Sequence, residues 1–301
     1  DNLPVHLGLG WDNFGSRFID NDRYTATLTH NNITGHDDSL AFQYQFADEE
    51  EQYKLNSLRY SLPVNESLDI GFTALQTKTS LTKEYEPLLS RGKSSLYGIY
   101  ASQSLIKEDN VILNLSAGFD YKDIFNFQLG QETSRDRMRI IKTSMDLDLR
   151  DKSGRTIITN EISHGIPNIM GGLKEQDSVA TRSGSGGAFT KDNINLLRLQ
   201  NMPFDSTLLW KNQLQFSPYI LTSSEQFQIG GIANVRGYPP AEYVGDSGYS
   251  MTWEYTIPPY GIPKNIKVPF SKGTFYDSFR LAAFYDWATV VLRRPQAGEE
   301  K

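Results

Sequence analysis

The sequence predicts an all-β chain, an antiparallel up-and-down barrel that spans a membrane. Three observations predict it. Apolar and polar residues alternate with period two along most of the chain. Many alternating segments approach the 9–11 residues that a tilted strand needs to cross a hydrocarbon core. The spacers are short at one end of the strands and long at the other, as in an outer-membrane meander.

The candidate strands are 5–11, 24–30, 39–46, 54–62, 67–76 and 94–105, then 111–122, 141–150, 156–164, 194–201, 207–217, 248–257 and 279–291. The clearest places Val111, Leu113, Leu115, Ala117, Phe119 and Tyr121 on one face. Asn114, Ser116, Gly118, Asp120 and Lys122 fall on the other, with only Ile112 out of pattern. Segment 141–150 opposes Ile141, Met145, Leu147 and Leu149 to Lys142, Ser144, Asp146, Asp148 and Arg150. Segment 248–257 opposes Tyr249, Met251, Trp253, Tyr255 and Ile257 to Gly248, Ser250, Thr252, Glu254 and Thr256. Short spacers fall at 63–66, 107–110, 152–155 and 203–206. Long ones fall at 12–23, 81–93, 165–193 and 218–247. The 81–93 spacer has room for one short helix.

A soluble sandwich and a solenoid also alternate. Sandwich strands are shorter, at about 5–6 residues. A solenoid would show a fixed repeat, and none is visible. Polar faces carrying Asp120, Lys142, Asp146 and Arg150 suit bulk water or a wet lumen equally. The aromatic apolar face (Tyr249, Trp253, Tyr255, Tyr285, Trp287) favours lipid, because such rings gather at membrane interfaces. About thirteen strands is an odd count, whereas single-chain bacterial barrels have an even one. An unclosed barrel leaves two strand edges in lipid. Residues 1–301 are thus read as one barrel portion, and either the strand count is off or closing strands are missing after Lys301.

Composition narrows the function classes. The chain has 301 residues, 30 Lys or Arg against 36 Asp or Glu, and a formal charge of -6. That balance argues against a general nucleic-acid binder. Cys is absent, which removes disulfides and thiol chemistry. No run of about 18 apolar residues exists to make a transmembrane helix. The N-terminal Asp-Asn-Leu-Pro lacks the basic and apolar regions of a signal peptide, which reads as a mature chain or fragment. Tyr (16), Phe (16) and Gly (24) are plentiful, as suits strands with two unlike faces.

The most informative segment is the long spacer 218–247. It contains Gly230-Gly231-Ile232-Ala233-Asn234-Val235-Arg236-Gly237-Tyr238-Pro239-Pro240. Its core, Val235-Arg236-Gly237-Tyr238, resembles the loop signature of the two-partner secretion transporters, the haemolysin-activator and filamentous-haemagglutinin transporter family. Trp11-Asp12-Asn13-Phe14-Gly15 and Thr27-Leu28-Thr29-His30-Asn31-Asn32 resemble that family's first barrel hairpin. Leu281-Ala282-Ala283-Phe284-Tyr285-Asp286-Trp287-Ala288 resembles its Phe-x-Asp-x-Gly strand, with Ala288 replacing the glycine. The order also matches: signature loop, strand, short connection, Phe-x-Asp strand. The resemblance implies a sixteen-stranded barrel, with about three strands beyond Lys301. The family's periplasmic polypeptide-transport-associated domains are not in this sequence.

If Leu281, Ala283, Tyr285 and Trp287 face lipid, then Phe284 and Asp286 face the lumen. Lipid-facing Trp253 and Tyr255 likewise put Glu254 in the lumen. The resemblance implies a loop folded into the lumen, with Arg236 latched to Asp286. Glu254 is a further candidate partner on strand geometry. A charge-assisted pair of this kind is geometrically specific. The implied function is an outer-membrane pore exporting a secreted partner protein, of adhesin or haemolysin type, without ATP hydrolysis. Membrane lipid is the other expected partner. An outer-membrane assembly insertase of the same superfamily and a small-solute porin remain as alternatives.

Other chemistries fail on their motifs. Gly92-Lys93-Ser94 lacks the upstream glycine of a P-loop, Pro87 standing in its place, so no nucleotide is expected. His6, His30, His36 and His164 show no metal-ligand spacing. Ser163-His164 has no nucleophile elbow, and adjacent strand residues face opposite ways. The 184–187 stretch reads as a flexible loop. No catalytic residue, metal or cofactor is expected.

Overall fold

A computed structural model describes residues 3–269 and 273–295. Thirteen strands form one antiparallel sheet, each paired with its neighbour in sequence except at one long loop. They begin with β1 (Val5–Asp12), β2 (Arg23–Asn31), β3 (Ser39–Phe46), β4 (Tyr53–Pro63), β5 (Leu68–Ser80) and β6 (Arg91–Lys107). β7 (Val111–Gln128), β8 (Gln131–Asp151), β9 (Gly154–Gly165), β10 (Phe189–Met202) and β11 (Ser206–Phe216) follow. A two-stranded ribbon, β12 (Phe227–Ile229) with β13 (Tyr243–Gly245), rises from the next loop. β14 (Ser247–Ile257) and β15 (Leu281–Val291) complete the main sheet. Among the described residues, β1 and β15 each pair on one side only.

The alternation read from sequence decides the two faces. Leu9, Ile99, Leu115, Ile141, Trp253 and Trp287 all lie on one face, and each is more than a third exposed. Apolar exposure on that scale marks contact with lipid rather than water. Aromatic pairs punctuate it: Trp210 stacks on Trp253 at 5.5 Å, and Tyr24 on Phe46 at 5.4 Å. The opposite face is polar. Lys142 lies 3.4 Å from Asp120 and 2.9 Å from Glu161 there.

The buried core is displaced to the long-loop end of the sheet. Met138, Ile140, Phe189 and Leu221 cluster where loops 166–188 and 217–226 fold back. Arg139, fully buried on the opposite face of β8 from Met138 and Ile140, holds loop 166–188 to the sheet. It donates to Asp123 at 2.8 Å and to the Met170 carbonyl at 3.0 Å, and it lies over Tyr121.

The structure departs from expectation chiefly in two places, the β7–β8 hairpin and the β14–β15 connection. β7 and β8 continue well past residues 122 and 141, and Leu129 and Gly130 turn the hairpin with φ of 49° and 79°. Positive φ at both central residues matches the twist of the flanking strands. The sequence hid this extension because Asp123, Arg135 and Arg137 interrupt its apolar face. The 81–90 loop does hold a short helix, a 3-10 turn at Lys83–Leu88, as its length allowed. The connection from β14 to β15 is long rather than short, and it holds a helical turn, α1 (Phe275–Ser278). Pro258 and Pro259 stop β14, since proline supplies no ladder N–H.

Candidate functional site: the 217–246 loop on the inner wall

The loop between β11 and β14 has three parts: a base at 217–226, the β12–β13 ribbon, and a tip at 230–242. The tip is turned by glycine. Gly230 and Gly231 have φ of 111° and 80°. Asn234 then ties the turn together. Its Oδ1 accepts from Gly230 N at 2.9 Å and Val235 N at 2.8 Å, and its Nδ2 donates to the Gln228 carbonyl at 2.8 Å. Val235 is buried, while Tyr238 is 53 % exposed and meets Tyr243 edge-on. Gly237, with φ of 95°, lets the backbone leave the turn after Arg236.

Arg236 reaches the polar face of the sheet. Nε donates to Asp286 Oδ2 at 2.8 Å, and Nη2 donates to Asp286 Oδ1 at 2.9 Å. Nη1 donates to Glu254 Oε2 at 2.6 Å. The Arg236 backbone N–H adds a bond to Asp286 Oδ2 at 3.1 Å. The guanidinium lies over the Phe284 ring, 3.6 Å from its centroid. Bidentate pairing plus ring stacking is a geometry that lysine does not reproduce. Asp286 raises the Arg236 pKa above its ordinary value, Glu254 adds to this, and burial opposes both. The side chain of Asp286 is 4 % exposed, against 28 % for Arg236 and 26 % for Glu254. Removing the arginine strands the more buried charge, at a cost on the order of 3 kcal/mol.

The sequence motifs therefore meet at one point. Arg236, Asp286, Glu254 and Phe284 come together, with Val235 packed behind them. Tyr238 takes no part in the ion pair itself. It shares with Asp286 the lining of a cavity of about 330 Å³, together with Val235, Trp287 and Ala288, the residue that replaces the glycine of the strand motif.

Sequence reasoning missed the attachments around this point. Lys211 on β11 donates from Nζ to the Ala233 carbonyl. Thr252 Oγ1 donates to the Asn234 carbonyl at 3.3 Å. Gln215 holds both ends of the loop: its Nε2 donates to the Glu225 carbonyl at 3.0 Å and the Asp246 carbonyl at 3.1 Å. Asp246 accepts from Leu221 N at 2.8 Å, Arg182 Nη1 at 2.7 Å and Arg293 N at 2.6 Å. Glu225, almost wholly buried, receives Lys122 Nζ and Lys191 Nζ, each at 2.7 Å. Burial pushes the Glu225 carboxyl up, and the two lysines outweigh it and hold the pKa below the usual range. The one available signal was parity: Lys122, Lys191, Lys211 and Gln215 all fall on inward positions of their strands. Nothing in one sequence pairs them with a loop.

Among the described residues, no group of His, Asp and Glu is arranged to hold a metal ion. What the arrangement does is hold a loop against the inner wall by directional, charge-assisted bonds.

Comparison with known proteins agrees with this architecture. The chain is 23 % identical over 250 residues to the heme/hemopexin transporter protein HuxB of Haemophilus influenzae strain 86-028NP, a match that covers 81 % of this chain and 43 % of that protein. Among solved structures, CdiB from Escherichia coli matches with a TM-score of 0.76 and 18 % identity, over 88 % of this chain and 50 % of that one. CdiB from Acinetobacter baumannii matches at 0.71 and 17 %, over 98 % and 51 %. BamA from Haemophilus ducreyi matches at 0.65 and 13 %, over 96 % and 58 %. The chain thus spans about half the length of the relatives it matches. The sheet is the wall of a Gram-negative-type outer-membrane β-barrel. The family model for the haemolysin secretion/activation proteins ShlB/FhaC/HecB matches residues 1–273, and the chain belongs to that family of transport proteins.

Proposed function

We propose that this chain is the greater part of the pore domain of a two-partner secretion transporter. It exports a partner exoprotein of adhesin or haemolysin type across the outer membrane, with no ATP hydrolysis and no covalent chemistry of its own. The polar inner wall conducts the unfolded polypeptide. The 217–246 loop occupies part of the lumen at rest, and the Arg236–Asp286 pair, joined by Glu254, is the latch that keeps it there. The observation that carries this reading is the fourfold attachment of Arg236 to two carboxylates on adjacent strands. A side chain so fully committed across fifty residues of sequence serves position rather than local turn structure. HuxB, by its name a heme/hemopexin transporter, adds a precedent for transport by a related chain.

An assembly insertase has one supporting observation, the BamA likeness in fold. A small-solute porin predicts indifference of protein export to Arg236.

The test is secretion of the cognate partner by the full-length transporter carrying Arg236→Ala, with membrane insertion measured in parallel. Normal insertion with export reduced at least tenfold is expected. Normal export would overturn the latch.

A further inference from the structure

On the outward face at the long-loop end, the strand register places charges of one sign side by side. Lys54 on β4 stands directly opposite Lys78 on β5, and Lys78 stands directly opposite Lys93 on β6. The row continues through Phe125 on β7 to Arg135 on β8. On its other side it runs through Phe46 to Tyr24, which stack on one another. Like charges directly opposite on one face repel and destabilise a sheet. Neighbouring strands lie about 4.8 Å apart, so the three ammonium groups share a width of about 10 Å.

Nearby carboxylates neutralise only the two ends of the row and leave Lys78 and Lys93 at its centre. Glu50 pairs with Lys54 at 3.1 Å, and Glu132 pairs with Arg135 at 2.6 Å. Asp123, one row below, is taken by Arg139. Lys78 and Lys93 are exposed, and neither makes an ion pair among the described residues. One row down, the Arg137 Nε is buried without a hydrogen-bond partner.

The rows toward the middle of the sheet change character on the same strands. The next holds Asn56, Gln76 and Ser95, and the one after holds Leu58, Ala74 and Tyr97. Then comes an apolar groove of about 590 Å³, with Ala101 opposite Ala117 as its floor and Ile70, Phe72 and Phe119 among its walls. Basic row, polar row and apolar groove follow in the order of phosphate, backbone and acyl chain in a lipid.

We propose that the Lys54–Lys78–Lys93 row binds the phosphate groups of an anionic outer-leaflet glycolipid whose acyl chains lie along the β4–β7 groove. The lipid supplies the missing counter-charge, and the flanking aromatics mark the interface at which its headgroup sits. The inference rests on the placement of the barrel in the outer membrane and is independent of what passes through its lumen.

The test uses the full-length transporter purified in mild detergent, with lipid binding followed by native mass spectrometry. The probes are diphosphorylated lipid A, its dephosphorylated form, and inorganic phosphate. The combined K54Q/K78Q/K93Q variant is expected to bind diphosphorylated lipid A about a hundredfold more weakly, at roughly fivefold per lysine. The K54R/K78R/K93R variant is expected to bind it like the parent. Dephosphorylated lipid A is expected to bind the parent as weakly as diphosphorylated lipid A binds the glutamine variant. If the triple glutamine variant does not insert, K78Q alone is expected to show the fivefold loss. Equal binding by parent and glutamine variant, or by the phosphorylated and dephosphorylated lipids, overturns the proposal. So does millimolar inorganic phosphate displacing the lipid from the parent, which would mark a site for free anions.

Discussion

Arg236 binds both oxygens of Asp286 through its side chain and one of them again through its backbone N–H. The backbone bond fixes where the loop lies, and the fork fixes which way the guanidinium points. A lysine at 236 keeps the charge and loses the fork, the Glu254 bond geometry and the ring stacking. Arg236→Lys is expected to lower partner secretion about tenfold, with normal insertion. The exchange R236D/D286R is expected to recover part of the loss from R236D alone, because it restores one pair while repelling Glu254. Secretion titres alongside a surface-exposure assay measure both.

Gly237 is a second control point of the same tip. A side chain there meets open space, with no atom within 4 Å of where its Cβ would stand, so the cost of Gly237→Ala is conformational. Holding alanine at φ 95° costs about 1–2 kcal/mol. The tip-released state is expected to gain about tenfold in population. Planar-bilayer recordings would register this as more frequent opening of the purified transporter.

Glu225 links the loop base to pH. Its folded-state pKa is depressed, so its contribution is present above the unfolded value, about 4.3, and is lost as pH falls through the folded one. The base is expected to loosen below about pH 4. Protease cleavage within 217–226 should rise on acidification in the parent. In Glu225→Gln it should be high already at pH 7 and change little with acid. A parent loop as resistant at pH 3 as at pH 7 would rule out this role.

Gly71 makes room in the wall. A Cβ there would overlap the Tyr100 ring, and the Tyr100 Cβ in turn passes over Gly118. Gly71→Ala is expected to destabilise the barrel by about 1–3 kcal/mol through overpacking. The smaller Tyr100→Leu background should relieve it. Heat-modifiable migration in gels, read as a shift in the unfolding midpoint, compares the two.

The strands were legible because each has one neighbour in lipid and one in water, and that contrast is written residue by residue. Trp253, Glu254 and Tyr255 disclose their directions from three letters. The β7–β8 extension was not legible, since beyond the hydrocarbon core neither face of Asp123, Phe125 or Arg135 must be apolar. The long β14–β15 connection was masked by the motif order that the resemblance supplied. At the site, Arg236 and Asp286 were found because each sits in a recognisable motif. Gln215, Glu225 and Asp246 were not, because a buried ion pair between a loop and a distant strand leaves no periodic trace.

The carboxamide of Gln215 has a kinetic meaning beyond its two hydrogen bonds. By holding the carbonyls of Glu225 and Asp246 together, it keeps the loop a closed ring whose tip cannot diffuse away. A freed Arg236 therefore faces Asp286 at the effective concentration of a short tether, on the order of millimolar. In the export cycle proposed above, a passing chain segment must exceed that local concentration to hold the carboxylate for itself. Once the segment has gone, the loop returns by a first-order step, at a rate set by the ring rather than by anything in solution.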